Sequence, residues 1–487
     1  MESITGHALD LVATVAAIVL VRNNNLRQPE PTTIDQRQSL LAPTDPLSPL
    51  PATPLRQRFL TALRSRTFRS LRHRDYRLYF LGQIVSFTGS WMQSAALMWL
   101  VFDLTADPIW PSLLLVAQVG PTLLFGTIGG ALADRFAKRR LIAITQSLFL
   151  LVALTLLTLT AANAIVPWLL FGVMACSGVV QSIDLPARLS FVPDLVPRED
   201  LINAVSLNAL LFNAARAVGP ALAGVTFLLA DAIAEAGWTK LAPVRMGAIF
   251  AFSFNVFSFT AVLWALTRMT HRGLPKANRK TSSSVAGFRL AWRTPFVRNL
   301  LFTSGALCVF AWPALTLFPA YTKLVLNHAE KEYSLLVSAL GLGALAAALT
   351  AATFSTPARR FRFLRGGALG ATLGLAGLAM SGTIAAALAS ASLLGFGLIL
   401  YLSTGQSALQ LSATDESRGR MMALWAMMLS ASAPLGHLLA GRAAQSLPID
   451  AVLAVMAGGA GCVTFMLWLF SRNSTADAGV AQDVRPG

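Results

Sequence analysis

Apolar and polar positions in this chain come in long blocks rather than in the short periods of half-buried strands or surface helices. Twelve mostly apolar runs can be laid down, at roughly 77–103, 108–133, 140–162, 165–187, 202–229, 245–267, 298–324, 334–355, 365–388, 390–411, 419–445 and 449–471. Each is long enough to carry an α-helix across a hydrocarbon core about 30 Å thick. A helix satisfies all its backbone groups within one segment, which lipid demands. The expected fold class is an all-α polytopic membrane protein, with 12 transmembrane helices in two pseudo-symmetric six-helix bundles.

Composition agrees. The 487 residues are 55% hydrophobic and 13% charged, with a mean hydropathy of +0.61, where a soluble enzyme would carry about 25% charge. Charge then supplies an orientation. Of the 39 Lys and Arg residues, 30 fall on one side of the series of runs and only five (Lys240, Arg245, Lys323, Lys331 and Arg442) on the other. The loops of that second side near Asp107, Asn163 and Ser390 hold no basic residue. Short basic loops stay cytoplasmic, so both ends of the main body are expected inside a bacterial inner membrane. The net charge of +17 then belongs to loops facing anionic lipid. Without zinc-finger spacing or a soluble basic domain, nucleic acid is excluded. Cys176, Cys308 and Cys462 lie in apolar runs and form no CxxC pair, so neither a disulfide framework nor a metal site is indicated.

Five regions are expected: an N-terminal tail, 1–70; a first bundle, 71–267; a central cytoplasmic loop, 268–297; a second bundle, 298–471; and a disordered tail, 472–487. Within the first tail, the apolar stretch Ala8 to Val21 is short for a span and has no basic residues before it. It could span the membrane, lie on it or reflect a misassigned start. The prolines from Pro29 to Pro54 mark a solvated linker. The central loop carries Lys276, Arg279, Lys280 and a short amphipathic stretch from Phe288 to Trp292, read as an interfacial helix. The bundles echo each other: Gly219-Pro220-Ala221-Leu222-Ala223-Gly224 in span five pairs with Ala433-Pro434-Leu435-Gly436 and Gly441 in span eleven. Gly219, Pro220 and Gly224 suit a kinked, closely packed helix, and Pro434 predicts the same break in its counterpart.

Between spans two and three lies Gly129-Gly130-Ala131-Leu132-Ala133-Asp134-Arg135-Phe136-Ala137-Lys138-Arg139-Arg140. Gly130 is read as permitting close helix approach, and Asp134 as capping a helix or pairing with a neighbouring Arg to close the basic side. Glycine followed by Asp-Arg and a basic cluster resembles the loop signature of the major facilitator superfamily. The resemblance implies a gate built from Gly130, Asp134, Arg135, Lys138, Arg139 and Arg140. The order Asp184-x-Pro186-Ala187-Arg188, Asn203-Ala204 with Leu207-Asn208, and Arg216-x-x-Gly219-Pro220-Ala221 is similar to the drug:proton antiporter branch that includes enterobactin and macrolide exporters. That likeness covers roughly residues 70–471. It implies export, an association carried by the glycine-proline motif of span five.

The residues point inward without the resemblance as well. Asp184 and Arg188 are four apart and share a helix face, while Arg216 lies inside span five near Asn208 and Asn213. Ionisable groups inside a membrane are costly and mark pathways or partners. Asp184, Arg188, Arg216, Asp103 and His437 are therefore candidates for charge or proton coupling. The first three could instead form one salt-bridge network between the bundles, and Asp103 could simply be an interfacial aspartate. Gln93, Gln118, Gln181, Asn208, Asn213, Trp312, Gln406 and Trp425 are candidates for an amphiphilic cavity. No phosphate-cradling Gly-x-x-x-x-Gly-Lys-Ser/Thr loop and no HExxH helix occurs, so an ATPase or a zinc hydrolase is not expected.

The expected function is secondary active export of an amphiphilic small molecule (siderophore, macrolide or other drug) by proton antiport and rocker-switch alternating access. The alternatives are a lipid or lysophospholipid translocator, and a non-transporting sensor or scaffold. Expected partners are the small-molecule substrate, protons and membrane lipids. No cofactor and no nucleic acid is expected, and a monomer should suffice.

Overall fold

The computed structural model describes residues 68–239, 241–274, 294–354, 359–412 and 415–483. The N-terminal stretch around Ala8 to Val21, the linker prolines and the expected interfacial helix from Phe288 to Trp292 lie outside them. Everything below concerns the described residues from Ser70 onward.

The described residues form helices α1 (Arg74–Thr105), α2 (Ile109–Arg135), α3 (Lys138–Ala161), α4 (Pro167–Phe191), α5 (Leu201–Glu235) and α6 (Pro243–Arg268). They continue with α7 (Pro295–Val325), α8 (Glu330–Phe354), α9 (Arg360–Met380), α10 (Ile384–Ser412), α11 (Asp415–Ala443) and α12 (Ile449–Asp483). All twelve are long and apolar enough to cross a membrane. Proline opens α4, α6 and α7, where its missing N–H costs nothing. Hydroxyls on outward faces are satisfied internally: Thr155, Thr158, Thr260 and Thr350 each donate to the carbonyl four residues earlier, at 2.8–2.9 Å. Such bonds let polar residues face lipid without an orphaned donor.

Helix α1 packs on α5 and α6, α2 on α4, and α3 on α4 and α6. In the second half α9 and α8 pack on α10, and α7 on α11 and α12; α5–α8 and α2–α11 join the halves. Glycine permits the tightest of these approaches. A Cβ on Gly129 would stand 2.0 Å from the Ser182 carbonyl oxygen, and one on Gly341 would stand 2.6 Å from Ala217 Cα across the interface.

Two expectations are corrected here, at Gly130 and at Ser390. Gly130 does not carry the close approach, because nothing lies within 4 Å of its added Cβ. One residue turns a helix by about 100°, and Gly129 is the residue facing α4. Helices α5 and α11 run through Pro220 and Pro434. The interrupted span is α7, which is α-helical over Pro295–Ala311 and Ala314–Ala320 and then π-helical over Tyr321–Val325. Pro313 and Pro319 fall six residues apart there, and each removes a backbone donor. Ser390 lies inside α10, with the turn at residues 381–383, because the Ala-rich start of α10 blurs the boundary by composition. Helix α12 continues to Asp483. Elongating a formed helix is far easier than nucleating one, and Ala476, Ala478 and Ala481 favour it.

A glycine pair tests this packing. Gly129→Val should lower stability by about 1–3 kcal/mol or more, because backbone on α4 blocks the new side chain. Gly130→Ala should leave it unchanged. Thermal unfolding of both purified variants makes the comparison, and equal losses would contradict this packing.

Candidate translocation site

Asp184 is fully buried. Its Oδ1 accepts from Thr145 Oγ1 at 2.6 Å and Gln146 Nε2 at 3.1 Å, and its Oδ2 lies 2.6 Å from Arg188 Nη2. Arg188 also donates to Gln83 Oε1 at 3.1 Å and sits 4.8 Å above the Phe87 ring. The pair therefore braces α1, α3 and α4 inside the first bundle. Gln83, Thr145 and Gln146 were not anticipated. Amides at Gln83 and Gln146 within apolar runs were the available signal.

The Gly130–Arg140 loop is held chiefly by its basic residues. Lys138, nearly buried, reaches Asp194 Oδ2 at 2.5 Å and the Ser190 carbonyl at 2.9 Å. The Lys138 amide donates to the Gly273 carbonyl at 2.9 Å, and the Arg139 guanidinium donates to the Met269 carbonyl. The start of the central segment is thereby strapped to the loop, and Asp75 Oδ2 anchors it by accepting from the His271 amide at 2.6 Å. Asp134, Arg135 and Arg140 are exposed.

The opposite end is where side chains join the two bundles. Lys323 Nζ lies 2.6 Å from Asp103 Oδ1, and Gln445 donates to Asp107 Oδ2 at 2.8 Å. Deeper in, Ser112 of α2 donates to Thr316 of α7 at 3.1 Å, and Thr316 meets His437 Nδ1 of α11 at 3.0 Å. Trp99 of α1 stacks on Tyr333 of α8 with centroids 5.3 Å apart. The rare cations of this end have fixed duties. Besides Lys323, Arg245 caps α3 by donating to the Thr160 and Ala161 carbonyls at 2.7 and 3.0 Å. Arg442 donates to Gln445.

Arg216 stands midway along α5, apart from the Asp184–Arg188 pair, so the three do not form one network. Its guanidinium carbon lies 5.5 Å from the Trp91 ring of α1 and 4.8 Å from the Trp312 ring at the break in α7. It is 3% exposed, its Nε has no hydrogen-bond partner, and no described carboxylate lies within ion-pair reach. Removing a cation from water costs several kcal/mol, and each cation–π contact returns about 0.5–2 kcal/mol. One turn toward the basic end, Phe212 meets Trp91 at 6.0 Å and Phe87 at 5.6 Å. An aromatic stripe thus runs from beneath Arg188 to Arg216.

The remaining candidates are dispersed. Gln93 accepts from Asn255 at 2.8 Å within the first bundle, and Asn213 donates to the Ala209 carbonyl at 2.9 Å in its own helix. Trp425 is buried against Gly405. Gln118, Gln181 and Asn208 are half-buried and Gln406 is exposed. Gly219 holds α5 against Trp91 of α1, and Gly224 holds it against Ser334 of α8.

Twelve spanning helices in two halves, pinned together at one end with an unpaired cation at mid-depth, define a multi-pass transporter of the major facilitator type. The chain belongs to the transmembrane secretion effector family of that superfamily, whose sequence pattern matches residues 65–483.

Its relatives include the staphyloferrin A transporter of Staphylococcus aureus, 29% identical over 150 residues, which cover 31% of this chain and 38% of that protein. The chain thus spans well under half of that relative. The multidrug efflux pump Tap of Mycolicibacterium fortuitum is 25% identical over 76% of this chain and 88% of its own. The enterobactin exporter EntS of Shigella boydii is 25% identical over 78% and 88%. Among solved structures, a bacterial homologue of the lysosomal transporter Spinster, inward-facing and occupied, has a TM-score of 0.63 at 13% identity, covering 82% of this chain and 97% of that one. A bacterial ferroportin homologue scores 0.61 inward-facing and 0.54 outward-facing, at 17% and 16% identity, covering 82% of this chain and 98% and 100% of those chains. These solved structures share the fold of this chain.

Proposed function

We propose that the protein is a secondary active exporter of an amphiphilic small molecule (a siderophore, macrolide or other drug), working by proton antiport in a bacterial inner membrane. The basic ends of the helices, including the Gly130–Arg140 loop, face the cytoplasm, following the excess of Lys and Arg there. The two bundles rock about a midplane site, and in this reading the arrangement described above is the one open to the cytoplasm.

The observation that carries this reading is the exposure pattern along one face of α5. Arg216 is 3% exposed and touches Trp312 of the other bundle, whereas Phe212, one turn nearer the basic end on that same face, is 43% exposed. The interface is closed above Arg216 and open below it. Support for proton coupling comes from His437, a buried titratable side chain hydrogen-bonded to Thr316, which in turn binds Ser112 of the opposite bundle. A proton taken up there would act directly on a contact that must break for the outer end to open. The exporters and efflux pump among the relatives support outward transport.

Inside-out vesicles with an acid interior provide the test. A labelled catecholate siderophore, a labelled macrolide and a labelled lysophospholipid are offered separately. Accumulation of one of the first two, abolished by a protonophore, is expected. Movement of the lysophospholipid alone would establish the lipid-translocator reading, and no movement of any probe would favour a scaffold. Asp134 is exposed here, so the gating role falls in the opposite state, when the basic ends close. Asp134→Asn should cut accumulation at least about tenfold, one charge-assisted contact's worth, with unchanged Tm. Normal accumulation would remove Asp134 from the gate.

A further inference from the structure

We propose that Arg216 is the seat of an anionic group on the transported molecule, whose apolar or aromatic body lies along the Phe87–Phe212–Trp91 stripe. This deepens the export reading and rests on it for the word transported; the anion site itself does not depend on direction.

The argument starts from what Arg216 lacks. The guanidinium is always charged at physiological pH and has five N–H donors. Here it is 97% buried at mid-depth, with Nε unpartnered and no described carboxylate in reach. Trp91 and Trp312 cover it at 5.5 and 4.8 Å, but ring faces offer no oxygen to accept its hydrogen bonds. A buried guanidinium that braces a fold looks like Arg188, which has Asp184, Gln83 and Phe87 around it. Arg216 has the aromatic faces without the carboxylate. The missing component is a planar or tetrahedral oxyanion (a carboxylate, catecholate, sulfonate or phosphate), which the guanidinium fork matches in geometry.

Placement adds to this. The site includes groups from both halves: Trp91 and Arg216 from the first bundle, and Trp312 from the interrupted helix of the second. Interrupted helices at mid-depth are where transporters of this type place their substrates. Phe212, 43% exposed one turn below, leaves an aromatic surface between the open end and the cation. An anion there would draw α7 and α5 together through Arg216. Its charge would also need that pairing to cross mid-depth, because an unpaired anion in apolar surroundings is costly.

The full chain in phosphatidylcholine nanodiscs is titrated with naphthalene-2-carboxylate and with its neutral counterpart, 2-naphthalenemethanol. Wild-type protein should bind the carboxylate at least about tenfold more tightly, as expected for one charge-assisted pair. Arg216→Met should erase that preference while retaining affinity for the alcohol. Arg216→Lys, which keeps the charge without the fork, should retain part of it. A Tm close to that of the wild type in both variants shows that they are folded. Equal affinity of the wild type for the two probes, including no binding of either, would overturn the proposal, as would an undiminished preference in Arg216→Met. Repeating the titration with phosphatidylglycerol in the disc identifies the source of the anion: competition assigns the site to a lipid headgroup, and no competition assigns it to a soluble solute. Charge-selective binding with no vesicle accumulation would leave the anion site standing and remove the export reading alone.

Discussion

Joining Asp103→Cys to Lys323→Cys with a short reducible cross-linker is expected to stop transport at least tenfold below the unlinked protein, with recovery on reduction. The native cysteines Cys176, Cys308 and Cys462 would first be replaced by alanine. The two side chains meet at 2.6 Å across the bundles, at the end opposite the basic loops. In an alternating-access cycle that end must separate once per turnover, so a covalent link there traps the conformation described here. The native ion pair does not exert such a hold. Its side chains are 34% and 45% exposed, and rim pairs of that kind are worth about 0–1 kcal/mol. Asp103→Ala and Lys323→Ala should therefore leave Tm within experimental scatter. Full transport through an intact cross-link would sink the rocking mechanism.

The second large effect concerns the Asp184–Arg188 pair. Asp184→Leu leaves the Arg188 guanidinium largely buried without its carboxylate, a loss of about 3–5 kcal/mol. Thermal unfolding of the detergent-solubilised protein should register it as a marked fall in Tm. The double variant Asp184→Leu/Arg188→Leu removes both charges and should lose much less than the two single changes added together. Additive losses would mean that the residues act independently, contrary to the 2.6 Å contact. Transport per folded molecule of the double variant then separates two roles: a brace for α1, α3 and α4 leaves it intact, and a coupling group abolishes it.

Particular residues show what could be read in advance. Asp184 and Arg188 are four apart, and the helix repeat alone puts them on one face, where they pair. The apolar runs predicted twelve helices because crossing lipid demands length and composition, both one-dimensional properties. The loop after span two was recognisable as a unit, but the division of labour within it was not. Lys138 binds Asp194, 56 positions away, and Asp134 faces outward, because which side of a turn a residue occupies depends on what the chain packs against. Gly129 and Gly130 are indistinguishable as letters and differ only in which way α4 lies. The interruption of α7 had a signal in Pro313 and Pro319 that the more conspicuous Gly219-Pro220 outweighed.

The amino-acid order by itself determined that this chain is a membrane-embedded helical transporter with one basic end, since hydrophobic length and loop charge act locally on each segment. Which buried cations would gain partners from other helices was decided only by the tertiary structure. Arg188 and Arg216 are equally polar in the sequence, and the helices bring three partners to one and two tryptophans to the other. Asp184, one turn from Arg188, was legible; Gln83 and Phe87 around Arg188 and Trp91 and Trp312 around Arg216 come from distant parts of the chain and converge through packing, which no local pattern encodes.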